Sequence, residues 1–102
     1  MTAYNVVRFR VKPGMDDKFL SSQRKSFDDG NLAGMEDLAL IKTGDRTYCL
    51  VGKWEKFDNI VAARPTLIGF LDEVRGLLED LGDGLGVTDP VSGEAVLEKH
   101  FH

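Results

Sequence analysis

Residues 48–81 decide the fold of this chain, and they read YCLVGKWEKFDNIVAARPTLIGFLDEVRGLLEDL. The opening run YCLVGKW is apolar and β-rich, which is typical of a strand. A polar turn, EKFDN, follows it, and leucine, phenylalanine and valine then recur at helical spacing. The stretch therefore predicts a strand that leads directly into a long amphipathic helix.

Two residues set the expected limits of that helix. Asp58 is suited to the N-cap, because its short carboxylate can accept hydrogen bonds from the free amides of the first turn. Pro65 lacks an amide hydrogen and clashes with the preceding turn, so we expect an interruption there and a longer segment over residues 66–81. The apolar stripe of this helix needs a sheet or another helix to cover it. It consists of Leu67, Phe70, Leu71, Val74, Leu77, Leu78 and Leu81.

The chain before this stretch predicts a strand and a helix. Residues 4–11 are β-rich, and Lys12-Pro13-Gly14 ends this strand with a turn. A surface helix follows, closed by Gly30 in the left-handed conformation. Its apolar side is expected to carry Met15, Phe19, Leu20, Gln23 and Phe27.

The remaining strands complete a recognisable order. Residues 35–42 and 47–54 predict a hairpin, residues 89–93 predict a tight turn, and a fourth strand carries Ala95, Leu97 and Phe101. The order βαββαβ predicts an α+β, ferredoxin-like fold, a four-stranded antiparallel sheet with two helices on one face. The other face also carries apolar side chains, so we expect a second copy of the chain to cover it.

Composition limits the class of protein. With 102 residues the chain is expected to be a single domain over residues 1–102. Its 17 acidic and 13 basic residues give a net charge of −4, which disfavours nucleic acid as a partner. No secretory pattern and no apolar run near the roughly 20 residues of a membrane span is present. Cys49 is the single cysteine, which fits a reducing compartment, and we expect a cytoplasmic protein.

These residues also resemble a known family. The strand order, the Lys12-Pro13-Gly14 turn and the run Val51-Gly52-Lys53-Trp54-Glu55 leading through Phe57 into a helix are similar to the antibiotic-biosynthesis-monooxygenase-type domain of the dimeric α/β-barrel superfamily. The resemblance covers residues 4–100. It implies a homodimer with a small pocket in each subunit between sheet and helices. Members of that family oxidise phenols or quinols with molecular oxygen and without metal or flavin, while related members degrade haem or only bind ligands.

The resemblance carries over residue by residue only in part. Trp54 matches the family tryptophan. The asparagine that quinol-oxidising members place earlier on the same strand is Leu50 here, and the histidine that haem-degrading members carry on the next helix is Arg64. Haem degradation is therefore disfavoured.

The catalytic candidates are Trp54, Asn5 and His100. Oxygen activation without a cofactor needs an electron-rich substrate anion in a dry pocket, a group that takes its proton and donors that hold the charge. Asn5 is a polar amide on an otherwise apolar strand face and must find a partner or a ligand there. His100 is the candidate acid–base residue. The structural alternatives are a packed core tryptophan and an asparagine at the wet rim of the sheet.

The substrate-binding candidates are Tyr48, Gly52 and Arg64. Tyr48 and Gly52 share a strand face with Trp54, so two aromatic walls with a glycine between them suit a flat ligand. Arg64 can anchor a carboxylate or phenolate by a bidentate contact. The structural alternatives are core packing for Tyr48 and full solvation for Arg64.

Metal and nucleotide sites are weaker interpretations. Glu98, His100 and His102 would share one face of the last strand and resemble a carboxylate–histidine set, but a fourth ligand is not evident, so no metal and no cofactor is expected. The glycine-rich residues 82–86 follow a helix, whereas a dinucleotide loop follows a strand.

Three functions follow from the sequence. The first is a cofactor-independent monooxygenase-like enzyme for a small aromatic or polyketide-like phenol or quinol. The second is a ligand-binding or stress-responsive dimeric barrel without catalysis. The third is an interaction domain without a pocket.

Overall fold

The computed structural model describes residues 1–30 and 32–101, which form a four-stranded sheet and two α-helices. The strands are β1 (Ala3–Arg10), β2 (Met35–Gly44), β3 (Thr47–Trp54) and β4 (Asp89–Glu94), and the helices are α1 (Asp16–Asp29) and α2 (Phe57–Val74), with a 3₁₀ turn at Arg75–Leu77. The sheet order is β2-β3-β1-β4 and each neighbouring pair is antiparallel. The predicted α+β, ferredoxin-like fold is confirmed. Within the part of the chain described here, no helix is both long enough and apolar enough to cross a membrane.

One face of the sheet is the core face. In the register of β1 with β3, Asn5 lies opposite Gly52 and Phe9 lies opposite Tyr48, and all four residues are buried. Trp54 ends β3 on the same face and is 0% exposed. Because side chains alternate along a strand, this one register places all five residues under the helices.

The other face of the sheet, called the outer face below, carries an apolar row. Val91, Val6, Val51 and Ala39 lie side by side across β4, β1, β3 and β2. Ile41 follows on β2 and is 47% exposed. Apolar side chains thus remain in contact with solvent on the side away from the helices.

The helix after β3 differs from the prediction at both ends and in the middle. Lys56 occupies the N-cap position, and Asp58 lies within the first turn, where its charge still suits the helix dipole. The helix continues through Pro65 to Val74, so the predicted interruption is wrong. Proline leaves the carbonyl of Val61 without a helical donor, but both residues are exposed and water can bond that oxygen.

The end of α1 also differs in conformation. Gly30 caps the helix with φ −84°, which is an extended conformation and not the predicted left-handed one. A glycine is nevertheless suited to this position, because a Cβ there would lie 2.6 Å from the carbonyl oxygen of Ser26.

The fourth strand lies earlier in the chain than predicted. The expected turn at residues 89–93 forms most of β4, and the expected strand around Leu97 is a tail in which that side chain is 92% exposed. β4 is an edge strand, with Pro90 opposite Val7. Proline is tolerated at a sheet edge, where its missing amide hydrogen would face solvent. β4 occupies the edge of β1 that the predicted fourth strand was expected to fill, and the residues after Glu94 follow it as a tail.

The buried residues form two clusters between the sheet and the helices. One contains Phe9, Phe19, Tyr48 and Val74, and the other is built around Trp54. Between the two clusters the packing leaves a cavity.

Candidate functional site

The cavity has a volume of about 450 Å³ and lies between the sheet and both helices. This volume falls in the range of roughly 300–1,000 Å³ that is usual for small-molecule sites. Its walls are mostly apolar, and the aromatic part consists of Phe9, Phe27, Trp54 and Phe70. The exposed lining residues mark the open side, and they are Arg64, Ile68, Pro90, Val91 and Ser92. An enclosed aromatic space that is open at one side suits a flat ligand.

Asn5 and Trp54 form a buried hydrogen bond in the wall of this cavity. The indole Nε1 of Trp54 donates to Oδ1 of Asn5 over 2.7 Å. Because an indole nitrogen can only donate, this bond fixes the orientation of the amide, with its oxygen toward Trp54. Both residues line the cavity, and the Nδ2 group of Asn5 has no acceptor among the described residues. This orientation leaves the Nδ2 group of Asn5 as the unpaired donor of the pair at the cavity wall.

Gly52 makes room for that hydrogen bond. A Cβ at this position would collide with Oδ1 of Asn5 and lie 2.9 Å from Nε1 of Trp54. Gly52 is buried and does not line the cavity. The expected space above Gly52 thus exists. The side chains of Asn5 and Trp54 fill it, so it offers no room for a ligand.

Tyr48 is not part of the cavity wall, although it shares a strand face with Trp54. Its hydroxyl donates to Oδ2 of Asp16 over 2.6 Å, and its ring packs 5.2 Å from that of Phe19. The hydrogen bond to Asp16, together with burial and nearby acidic charges, raises the pKa of Tyr48 from 10.0 to about 12. Tyr48 therefore joins β3 to the beginning of α1. At this position it does not form the aromatic wall for a flat ligand that we expected.

His100 is also separated from the cavity. It lies in the exposed tail, where its Nε2 is 3.4 Å from Oε2 of Glu98. The reason is the displaced fourth strand, since the tail that carries His100 does not join the sheet. His102, the other histidine of the predicted metal set, lies outside the described residues. In residues 1–30 and 32–101, no three His, Cys, Asp or Glu side chains are grouped closely enough to hold a metal ion.

Arg64 lies at the open side of the cavity. Its guanidinium sits 5.7 Å from the centre of the Phe57 ring, an arrangement that favours a cation over an aromatic face. Among the described lining residues it is the only one with an ionisable side chain. The cavity therefore combines one positive charge with the donor group of Asn5, and its described wall offers no carboxylate, histidine or tyrosine as a base.

Sequence reasoning did not identify Gln23 as a site residue. It was placed in the buried stripe of α1, and the structure shows it 8% exposed and lining the cavity with Ser26 and Phe27. A polar side chain within an apolar helix stripe was the available signal. Ser92 and Pro90 of β4 also line the cavity. They were not predicted, because residues 89–93 were expected to form a turn.

The fold matches solved structures over nearly the whole chain. A putative antibiotic biosynthesis monooxygenase from Nitrosomonas europaea superposes with a TM-score of 0.77 at 12% identity, covering 93% of this chain and 90% of that one. The chain has the fold of an antibiotic-biosynthesis-monooxygenase-like domain. The fold implied by the resemblance in the sequence is thereby confirmed.

Two further structures agree with this fold. A putative antibiotic biosynthesis monooxygenase from Bordetella bronchiseptica gives a TM-score of 0.74 at 17% identity, covering 94% of this chain and 98% of that one. SnoaB, a cofactor-independent oxygenase from Streptomyces nogalater, gives 0.71 at 18% identity, with 95% of both chains covered. No protein-family model and no curated protein matches the sequence. At such identities the likeness concerns the fold, and function has to be inferred from the cavity.

Proposed function

We propose that this protein binds a flat aromatic phenol or quinol in the cavity and oxidises it with molecular oxygen without a bound cofactor. The observation that carries the proposal is the Asn5–Trp54 pair, which holds a donor group in an aromatic cavity. SnoaB has the same fold and is a cofactor-independent oxygenase, which is consistent with this chemistry.

Asn5 and Arg64 would stabilise the substrate as an oxyanion. An ionised phenol places negative charge on an oxygen that accepts from the fixed Nδ2 group of Asn5, and the guanidinium of Arg64 adds positive charge at the open side. Donors held in place before the reaction stabilise developing charge strongly, because no reorganisation is needed. Ionisation also raises the electron density of the ring, which is what a direct reaction with oxygen requires.

The cavity offers no base among its described residues, so the substrate must lose its proton readily to solvent. A phenolic anthrone fulfils this requirement. Its ring CH₂ reacts with O₂ to give a ring C=O and one water: one oxygen atom enters the carbon, the other leaves with the two hydrogens, and the substrate supplies all four electrons. No external reductant enters this balance.

A second candidate function is ligand binding without catalysis, the ligand-binding or stress-responsive alternative. The same absence of an ionisable base from the described cavity wall favours it, as does Leu50, an apolar side chain in the wall where quinol-oxidising relatives are expected to have an amide. In that case Asn5 and Arg64 recognise the ligand and no oxygen is consumed.

We also propose that the chain acts as a homodimer of single-domain subunits over residues 1–102. Support comes from the outer face, where a row of apolar side chains crosses all four strands without a helix over it. Burying such a row against a second copy removes apolar surface from water at about 25 cal/mol per Å². Each subunit then keeps its own cavity on the opposite side of the sheet.

Oxygen consumption with 1,8-dihydroxyanthrone, measured against the rate without protein, tests the oxygenase. We expect turnover, and we expect Asn5→Leu to lower kcat/KM by about 100-fold, in line with the removal of one charge-stabilising donor. Arg64→Met should raise KM, while Arg75→Met is the matched control, because Arg75 pairs with Asp72 away from the cavity. The pH profile of kcat/KM should follow the pKa of each anthrone used and not one protein group.

Binding is measured separately through Trp54, the single tryptophan of the chain. Saturable quenching by an anthraquinone without oxygen consumption by any anthrone would favour the ligand-binding function. If neither quenching nor consumption occurs, both functions are wrong.

A further inference from the structure

We propose that Gln23 is the second polar anchor of the cavity and selects aromatic ligands that carry oxygen atoms at both ends. This inference rests on the proposed function, because it assumes that Asn5 binds the first oxygen. It adds a specificity-determining residue on α1 and narrows the substrate class.

Gln23 is a buried amide in the wall of the cavity. Its side chain is 8% exposed, and it lines the cavity from α1. None of the side-chain hydrogen bonds within the described chain involves it. Of the polar side-chain atoms described, only Oδ1 of Asn59 is both fully enclosed and without a partner, so the amide atoms of Gln23 remain partly accessible. A buried amide normally has a hydrogen-bond partner, and a ligand in the cavity could supply one for Gln23.

Gln23 is a polar residue within the otherwise apolar stripe of α1. Gln23 lies on the same face of α1 as Ser26 and Phe27, which also line the cavity. An apolar side chain would fill this position without any unmet hydrogen bond. The hydroxyl of Ser26, one turn away, adds a second polar group on the same wall.

The two anchors differ in what they recognise. Asn5 belongs to the sheet wall and offers its Nδ2 group as a donor, because its oxygen already accepts from Trp54. Gln23 belongs to the α1 wall and can donate or accept. A fused-ring ligand lying between sheet and α1 would place one oxygen at each wall. The substrate class is therefore an aromatic diol or hydroxyquinone with oxygen atoms on opposite edges.

Two probes that differ by one hydroxyl test this assignment, namely 2-naphthol and 2,6-dihydroxynaphthalene. Their affinities are measured by calorimetry for the unaltered protein and for Gln23→Met, which keeps the length of the side chain and removes its hydrogen bonds. The matched control is Arg24→Met, an exposed neighbour on the same helix. We expect the unaltered protein to bind the diol about fivefold more tightly, a ratio typical of one net hydrogen bond.

Gln23→Met should remove that ratio and leave the affinity for 2-naphthol within about twofold, since a cycle of variant and ligand isolates one contact. Unchanged binding of 2-naphthol also shows that the variant is folded. If Gln23→Met weakens both probes equally, or neither, the role of Gln23 is refuted while the aromatic site remains. If neither probe binds the unaltered protein, the aromatic site is refuted and the inference falls with it.

Discussion

Gly52 illustrates how strongly the site depends on a single backbone position. The Asn5–Trp54 hydrogen bond joins residues 49 positions apart in sequence, and it passes over the spot where a Cβ of residue 52 would stand. An alanine there must displace the Asn5 amide or the indole. The donor that faces the cavity thus exists only because β3 carries no side chain at this point.

We therefore predict that Gly52→Ala lowers the free energy of unfolding by about 1–3 kcal/mol, as overpacking of a core usually does. It should also weaken quenching of Trp54 by an anthraquinone. Gly69→Ala is the control, because a Cβ at Gly69 meets nothing within 4 Å in α2. The control should gain up to about 1 kcal/mol from helix propensity. Urea unfolding and fluorescence titration measure both effects, and normal ligand binding by Gly52→Ala would contradict the arrangement.

Tyr48 provides a pH-dependent contribution to stability. Its pKa is raised from 10.0 to about 12 in the folded protein, so folding favours the protonated hydroxyl. The stabilisation is complete below the ordinary pKa and is lost as the pH rises from about 10 through about 12. We predict that Tyr48→Phe flattens this part of the stability curve relative to the unaltered protein. Unfolding midpoints between pH 8 and 12 test it, with Tyr4→Phe on the outer face as the control. Equal slopes in Tyr48→Phe and the unaltered protein would contradict the prediction.

At the level of elements, α2 shows that a proline need not interrupt a helix. Pro65 lies inside α2, and the carbonyl it leaves unbonded belongs to Val61 on the solvent side. The helix face that turns inward carries Ile60, Arg64 and Leu67 to the cavity. Packing of that face keeps the helix continuous, although the local sequence favours an interruption.

We predict that Pro65→Ala increases the free energy of unfolding by about 1–2 kcal/mol. The change restores a helical amide and removes a steric clash, and the loss of chain stiffness in the unfolded state offsets part of the gain. Thr66→Ala, an exposed neighbour on the same helix, is the reference. Thermal and urea unfolding are the measurements, and a destabilised Pro65→Ala would show that the proline supports the packing of α2.

For the whole molecule, the two faces of the sheet carry different features. The core face carries the cavity, and the outer face carries the apolar row of Val91, Val6, Val51 and Ala39. Exposed apolar surface of this kind is typical of an interface. A dimer through the outer face leaves Arg64 and Ile68 at the open side of each cavity uncovered, because α2 lies on the other side of the sheet, while Val91 of the edge strand borders both surfaces.

We predict that Val51→Glu, which puts a charge in the middle of the outer face, converts the dimer to monomers in sedimentation experiments at micromolar concentration. A buried, unpaired carboxylate makes the association unfavourable. Val61→Glu is the control, since Val61 is an exposed apolar residue on α2. An unaltered protein that sediments as a monomer would refute the dimer.

Local patterns in the sequence were sufficient for the strand faces and for most elements. Alternation alone placed Asn5 and Phe9 on one face of β1, and Gly52 and Trp54 on one face of β3, because successive side chains of a strand point to opposite sides. Apolar residues at helical spacing identified α1 and its buried stripe. The fold class followed from the order of these elements.

Long-range pairing decided the rest. The register of β1 with β3 brings Asn5 to Gly52 and so to the indole of Trp54, and no local pattern encodes that register. Residues 89–94 pair with the edge of β1, so His100 lies in the exposed tail that follows β4. Tyr48 and Trp54 share a strand face, yet they pack into different clusters. Phe19 of α1 packs against Tyr48, whereas Ile60 at the beginning of α2 belongs to the cluster of Trp54. Contacts between remote segments depend on the packing of the whole chain, and the cavity is the space that this packing leaves between them.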